Sequence, residues 1–246
     1  MKHRLGDAPA HAHRLGDAPA HSRAALLEVR GLRKTFTGGM EPVHALRGVS
    51  LEVEPEEVVA VVGPSGSGKT TLLMALLGWD TPDAGDVVWR GETLPHLGRL
   101  GWDEVAIAGQ RLGLVEELTV EENVELPLTI AGVPEHERAE RVETALEALA
   151  LDAIADRPPA ATSLGEQQRT AVARALIRAP RLFVADEPTS HQDTERKRLV
   201  FRRLDEHKSL GGACLVATHD PDTLALCDRI LRMDSGALEE TAGSAR

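Results

Sequence analysis

Eight consecutive residues, Gly63-Pro64-Ser65-Gly66-Ser67-Gly68-Lys69-Thr70, have the composition of a phosphate cradle. Glycines at three of these positions let backbone N–H groups curl around a polyphosphate, and a helix starting at the end of the run would add the positive end of its dipole. A lysine in this place reaches β- and γ-phosphates, and the threonine hydroxyl suits Mg²⁺. The spacing matches GxxxxGK[ST], and Thr71 extends the same nucleotide-binding group. Farther on, the apolar run Leu182 to Ala185 ends in Asp186-Glu187. Such a strand is expected beside the first one in the sheet, with Asp186 helping to hold Mg²⁺ and Glu187 polarising an attacking water.

These groups need a scaffold. Glu57 to Val62 reads as a buried strand feeding the glycine-rich loop, and Thr70 to Leu77 as a helix closed by Gly78. Strand, loop and helix in that order open a parallel α/β sheet. Earlier, Leu27 and Val29, then Val49, Leu51 and Val53, alternate with polar residues, the pattern of half-buried antiparallel strands. From about Leu94 to Thr162 the pattern turns helical. Pro134 is expected at a first helical position, followed by Val142, Ala145, Leu146 and Leu149 at helical spacing. Buried strands return at Leu182 to Ala185 and at Ala213 to Ala217, and a hairpin turn is expected at Asp234-Ser235-Gly236.

Composition narrows the function classes. The chain has 246 residues, 42% of them hydrophobic and 27% charged, with a formal net charge of −11. An acidic chain lowers the expectation of nucleic-acid binding, because phosphate neutralisation supplies most of that affinity. Its apolar runs are far shorter than the twenty or so residues of a membrane span, so a membrane role is expected to pass through a partner. The first residues lack the apolar stretch of a signal peptide. Cys214 and Cys227 fit neither a redox pair nor a zinc site. His3 to His11 recurs unchanged as His13 to His21, and residues 1–24 read as a disordered tail carrying a slipped duplication. Its four histidines leave metal binding as the alternative.

Thr162-Ser163-Leu164-Gly165-Glu166-Gln167-Gln168-Arg169 resembles the LSGGQ signature of ABC (ATP-binding cassette) ATPases and, as in that family, precedes the acidic strand. Ser163 and Glu166 also have the spacing of a capping box at a helix start. Phe36 resembles the adenine-stacking aromatic residue, and Gln110 the Q-loop glutamine that contacts Mg²⁺ and water. Ser190-His191-Gln192-Asp193 is similar to the D-loop, and Thr218-His219-Asp220 to the switch segment whose histidine senses the γ-phosphate. Leu118 to Leu128 together with Asp186-Glu187-Pro188-Thr189 looks closest to the lipoprotein-releasing and macrolide or peptide exporter subgroup.

The resemblance implies an α/β fold: a P-loop NTPase (RecA-like) core with an antiparallel β subdomain and an inserted α-helical subdomain. It implies core segments 25–93 and 163–246, with the helical subdomain at 94–162. It further implies ATP and Mg²⁺ as cofactors, with Thr70, Gln110 and Asp186 toward the metal and Glu187, His219 and Gln110 catalytic. Ser163, Gly165 and Glu166 are expected to bind ATP held by a second cassette, with Asp193 in the D-loop. The implied partners are an identical or different cassette and an integral-membrane permease, at the cytoplasmic face of the cell membrane. A soluble ATPase outside transport and an ATP-sensing module with weak turnover are the competing readings. Several positions depart from the family pattern: Thr162 and Leu164 in the signature, Gln192 in the D-loop, and Glu56 at a turn usually filled by glycine. Leu164 motivates an expectation of slowed turnover, provided its side chain points inward or its backbone needs positive φ.

Overall fold

The computed structural model describes residues 24–39, 41–225 and 227–240, so the histidine-bearing repeat lies outside the described residues. Two sheets share the molecule. The first is antiparallel, in the order β2-β1-β4-β5, with β1 at Leu27–Phe36, β2 at Val43–Val53, β4 at Ala84–Trp89 and β5 at Glu92–Leu94. The second runs β10-β9-β3-β8-β7-β6, with β3 at Val58–Val62, β6 at Val105–Ala108, β7 at Leu182–Asp186, β8 at Ala213–Ala217, β9 at Arg229–Asp234 and β10 at Ala237–Glu240. Every pairing in it is parallel except that of β9 with β10.

Side-chain alternation along the parallel strands divides the interior in two. Val59 and Val61, Leu182 and Val184, and Ala213, Leu215 and Ala217 face a core shared with the antiparallel sheet and with α1, at Lys69–Leu77. Val58, Phe183, Ala185, Cys214 and Val216 face the opposite core, built with α2 at Val120–Ile130, α3 at Glu135–Ala148, α4 at Leu164–Leu176 and α5 at Thr194–Ser209. Strands covered on both faces read as continuous apolar runs, which is why β7 and β8 were visible in the sequence. Near the end, α6 is a single turn at Pro221–Leu224.

Three expectations need correction. The span 94–162 is not helical throughout, because β6 pairs with β7 in the parallel sheet; a four-residue run of valine, alanine and isoleucine is too short for periodicity to classify. Strand β7 does not lie beside β3: β8, fully buried, sits between them. Pro134 caps α3 instead of opening it, its ψ of 144° being extended. Among the described residues, no helix is long and apolar enough to cross a membrane.

Candidate functional site

The parallel register brings the carboxyl ends of β3, β8 and β7 to one edge of the sheet, where open α/β sheets bind ligands. A cleft of about 1010 Å³ opens there. The glycine-rich loop leaves β3 along its floor. A Cβ on Gly63, whose φ is 157°, would lie 2.1 Å from the Met233 carbonyl oxygen. Gly68 caps α1 at φ 111°, with space for a Cβ closed by the Ala45 carbonyl at 2.5 Å. The Ser67 N–H donates to the Pro64 carbonyl at 3.2 Å, and the Gly236 N–H to the Ser67 carbonyl at 2.9 Å. Lys69 arches back across the loop, donating from Nζ to the carbonyls of Gly63 at 2.8 Å and Pro64 at 3.1 Å. Gly63, Pro64, Ser65, Gly66, Gly68, Lys69, Thr70 and Thr71 line the cleft, whereas Ser67 is 3% exposed and does not.

Behind the loop stand the two acids. Thr70 Oγ1 donates to Asp186 Oδ2 at 2.8 Å, across the intervening β8. Burial pushes the Asp186 carboxyl above the usual range, the Thr70 hydroxyl opposes this, and the adjacent Glu187 charge adds to it. Glu187 has a left-handed backbone, φ 54°, with its N–H donating to the Ala217 carbonyl at 2.8 Å. One carboxylate oxygen lies 2.6 Å from His219 Nδ1, and the other accepts from Thr218 Oγ1 at 3.2 Å. The His219 side chain is 75% exposed toward the cleft, while that of Glu187 is 19% exposed.

Gln110 follows β6 and lines the same cleft. The segment after it is gripped by α4, since Arg174 donates to the carbonyls of Gly113 and Leu112, both at 2.7 Å. Phe36, at the end of β1, borders the cleft with its ring partly exposed, and Lys34 Nζ lies 5.3 Å from the ring centroid, within cation–π range.

Ser163, Gly165, Glu166 and Asp193 do not line this cleft. Ser163 caps α4 in a capping box: the Glu166 N–H donates to Ser163 Oγ at 3.3 Å, and Glu166 Oε2 accepts from the Ser163 N–H at 2.7 Å and its hydroxyl at 2.8 Å. The N–H first and then the hydroxyl hold the Glu166 carboxyl below its ordinary range. Gly165 is needed because a Cβ would lie 2.9 Å from the His191 carbonyl oxygen. Leu164 is the first residue of α4 and lies outside the positive-φ set, so its backbone makes no demand for glycine. Its side chain is half-exposed and borders the cleft. Asp193 caps α5, accepting from the Arg196 N–H at 2.8 Å. Glu56 adopts φ 62°, the conformation for which glycine is the usual occupant.

Two arrangements at the site were not legible in the sequence. His44, Ala45 and Arg47 of β2, with Ser235 and Gly236 of the β9–β10 turn, form a wall beside the loop. They come from segments that only the folded sheet order unites. Within the switch segment, Asp220 caps α6 and binds Lys197 Nζ at 2.8 Å and Thr189 Oγ1 at 3.1 Å. Partial burial would raise its carboxyl, but Lys197, the Asp222 N–H and Thr189 together lower it.

Residues 46–190 match the ABC transporter family model. Over 220 residues the chain is 39% identical to the lipoprotein-releasing system ATP-binding protein LolD of Paramagnetospirillum magneticum, covering 87% of this chain and 97% of that protein. It is 36% identical to the macrolide export ATP-binding/permease protein MacB of Marinobacter nauticus, covering 89% of this chain but 35% of that longer one. Its fold superposes with a TM-score of 0.81, at 30% identity, on a dimeric post-hydrolysis structure of the ATP-binding cassette MJ0796 bound to ADP and Pi, covering 89% of this chain and all of that one. Phosphate loop, paired acids and intervening signature helix thus occur together in a chain that belongs to the ABC transporter family, as one of its ATP-hydrolysing cassettes.

Proposed function

We propose that this cassette binds MgATP in the cleft, closes on a second cassette around two ATP molecules, and drives a separate integral-membrane permease from the cytoplasmic face. The observation that carries this reading is the convergence of Lys69, the Thr70–Asp186 pair and the Glu187–His219 pair on one cleft. In the proposed cycle Lys69 swings from the loop carbonyls to the β- and γ-phosphates, and Phe36 stacks on adenine. Glu187 orients the attacking water and takes up its proton, while His219, in contact with Glu187, senses the γ-phosphate. The oxygen donors of Thr70 and Asp186, already 2.8 Å apart, fit Mg²⁺, with Gln110 as a further oxygen ligand. When bound, Mg²⁺ would neutralise charge on the β- and γ-phosphates.

Ser163, Gly165 and Glu166, which do not line the chain's own cleft, suit ATP held by another cassette; Asp193 would lie along that closing face. Residues 25–246 are read as one cassette. Its helical arm within 94–162 is read as the part that moves the permease, and 39% identity to a lipoprotein-releasing ATP-binding protein favours that subgroup.

Glu187→Gln should bind ATP yet hydrolyse it at least about a hundredfold more slowly. Light scattering of this variant should show ATP converting monomer to dimer. Undiminished hydrolysis would remove Glu187 from its assigned role. Bound ATP without dimers would remove self-pairing and favour Leu164 as a block at the closing face.

A further inference from the structure

Glu187 holds a backbone conformation that side-chain-bearing residues avoid, and something must keep it there. Its N–H is anchored to β8 through Ala217. Its carbonyl is turned the other way, toward α4, and accepts from Gln168 Nε2 and from Ser190, whose N–H and hydroxyl lie at 3.2 and 3.1 Å. Gln168 is 6% exposed, and the same Nε2 also donates to Ser190 Oγ at 2.9 Å. An amide can face either way, and its orientation follows from its partners. Here the Glu187 carbonyl, which can only accept, settles it, and Gln192 Nε2, itself facing the Pro188 carbonyl at 3.3 Å, donates to Gln168 Oε1 at 3.3 Å. A leucine at position 192 could not donate that bond.

We infer that Gln168, braced by Gln192, is a positioning residue for hydrolysis: it holds the Glu187 peptide so that the carboxylate meets Thr218, His219 and the attacking water. This rests on Glu187 being the water-polarising acid. Gln168 stands on the helix whose first turn carries the signature, five residues after Ser163. In the two-cassette reading that first turn grips the partner's nucleotide while Glu187 serves the chain's own. Gln168 therefore joins the signature-bearing helix directly to the Glu187 peptide, and Gln192 braces that link.

The test is steady-state ATP hydrolysis by the full chain carrying Gln168→Glu. The shape is kept and the carboxylate still accepts from Gln192, but an ionised oxygen replaces the donor facing the Glu187 carbonyl. The turnover number should fall at least about tenfold while KM for ATP stays within about twofold, since the phosphate loop is untouched. Burial raises a carboxyl's pKa, and the protonated form regains a donor. Activity relative to the unsubstituted chain should therefore recover as pH falls from about 8.5 to about 6. A filler role would instead lower thermal stability, raise KM and show no such pH dependence.

Turnover within about twofold of the unsubstituted chain, or a flat activity ratio with pH, overturns the inference. Gln192→Leu is the second variant should Gln168→Glu fail to fold, and should lower turnover about threefold at constant KM; unchanged turnover overturns the inference. Glu187→Gln is measured in parallel. If it hydrolyses normally, the underlying assignment of Glu187 falls and this inference with it. If it is inactive while Gln168→Glu is normal, only the role of Gln168 falls.

Discussion

Gly63 and Gly66 both have positive φ, yet alanine should act very differently at the two. At Gly66, φ is 79° and an added Cβ meets nothing within 4 Å. Gly66→Ala therefore meets only the left-handed backbone penalty, about 1–2 kcal/mol. At Gly63 the Cβ would sit 2.1 Å from the Met233 carbonyl oxygen, more than an ångström inside normal contact, and 2.8 Å from Ser67 Oγ. The obstacle is backbone in β9, paired to β10 through Met233 and Leu238, so it cannot rotate aside. Relief requires the loop to part from that hairpin, loosening the bond from the Gly236 N–H to the Ser67 carbonyl. Beyond the backbone penalty that both positions carry, overpacking of about 1–3 kcal/mol and loss of one hydrogen bond of about 1 kcal/mol give an extra cost of about 2–4 kcal/mol for Gly63→Ala. In a chain of this size that lowers the melting temperature by roughly 4–16 °C. Calorimetry on the ATP-free chain gives the melting difference, and a fluorescent nucleotide titration should show weakened binding for Gly63→Ala. Equal melting temperatures for the two variants would refute the claim that the hairpin, and not the torsion alone, demands glycine at position 63.

Two further outcomes depend on protonation. Burial raises the Asp186 carboxyl, so its ionised form opposes folding above the folded-state pKa, and that penalty fades as pH falls toward the ordinary value of 3.8. Asp186→Asn should accordingly melt higher than the unsubstituted chain at neutral pH without ATP while losing Mg²⁺-dependent hydrolysis; a lower melting point would contradict it. His207 is 5% exposed and desolvation lowers its pKa from 6.5 to about 4. Below pH 6.5 the unfolded chain takes up a proton that the folded chain refuses, so roughly 3 kcal/mol of stability should drain away between pH 6.5 and 4. His207→Gln should flatten that part of the stability profile; an identical acid slope in the variant would exclude His207 as its source.

What the sequence disclosed depended on how local each device is. The phosphate loop and the Ser163–Glu166 capping box each lie within one short segment, and their geometry follows from the residues between their ends. Thr70 and Asp186 are 116 positions apart, yet readable, because a strand ending in acids after such a loop has few other uses. The insertion of β8 between β3 and β7 was not readable, since strands covered on both faces look alike and apolar composition does not encode neighbours. The same applies to β6, whose four residues carry no helix or strand period. Gln168 was visible only as one of two adjacent glutamines. Its importance comes from a carbonyl 19 positions away that Glu187 turns toward it.

The β9–β10 hairpin has a consequence for the order in which the molecule can be made. The Arg47 N–H donates to the Gly236 carbonyl at 2.7 Å, and the Gly236 N–H to the Ser67 carbonyl, so one turn stitches the antiparallel sheet to the phosphate loop. On the ribosome, residues 63–70 leave the exit tunnel long before residues 229–240 exist. Until that late turn arrives, the loop lacks both the wall against Gly63 and the clasp on Ser67. The nucleotide site therefore stays unfinished from the emergence of the loop until residues 229–240 have emerged, and ATP can join folding only after that turn has formed.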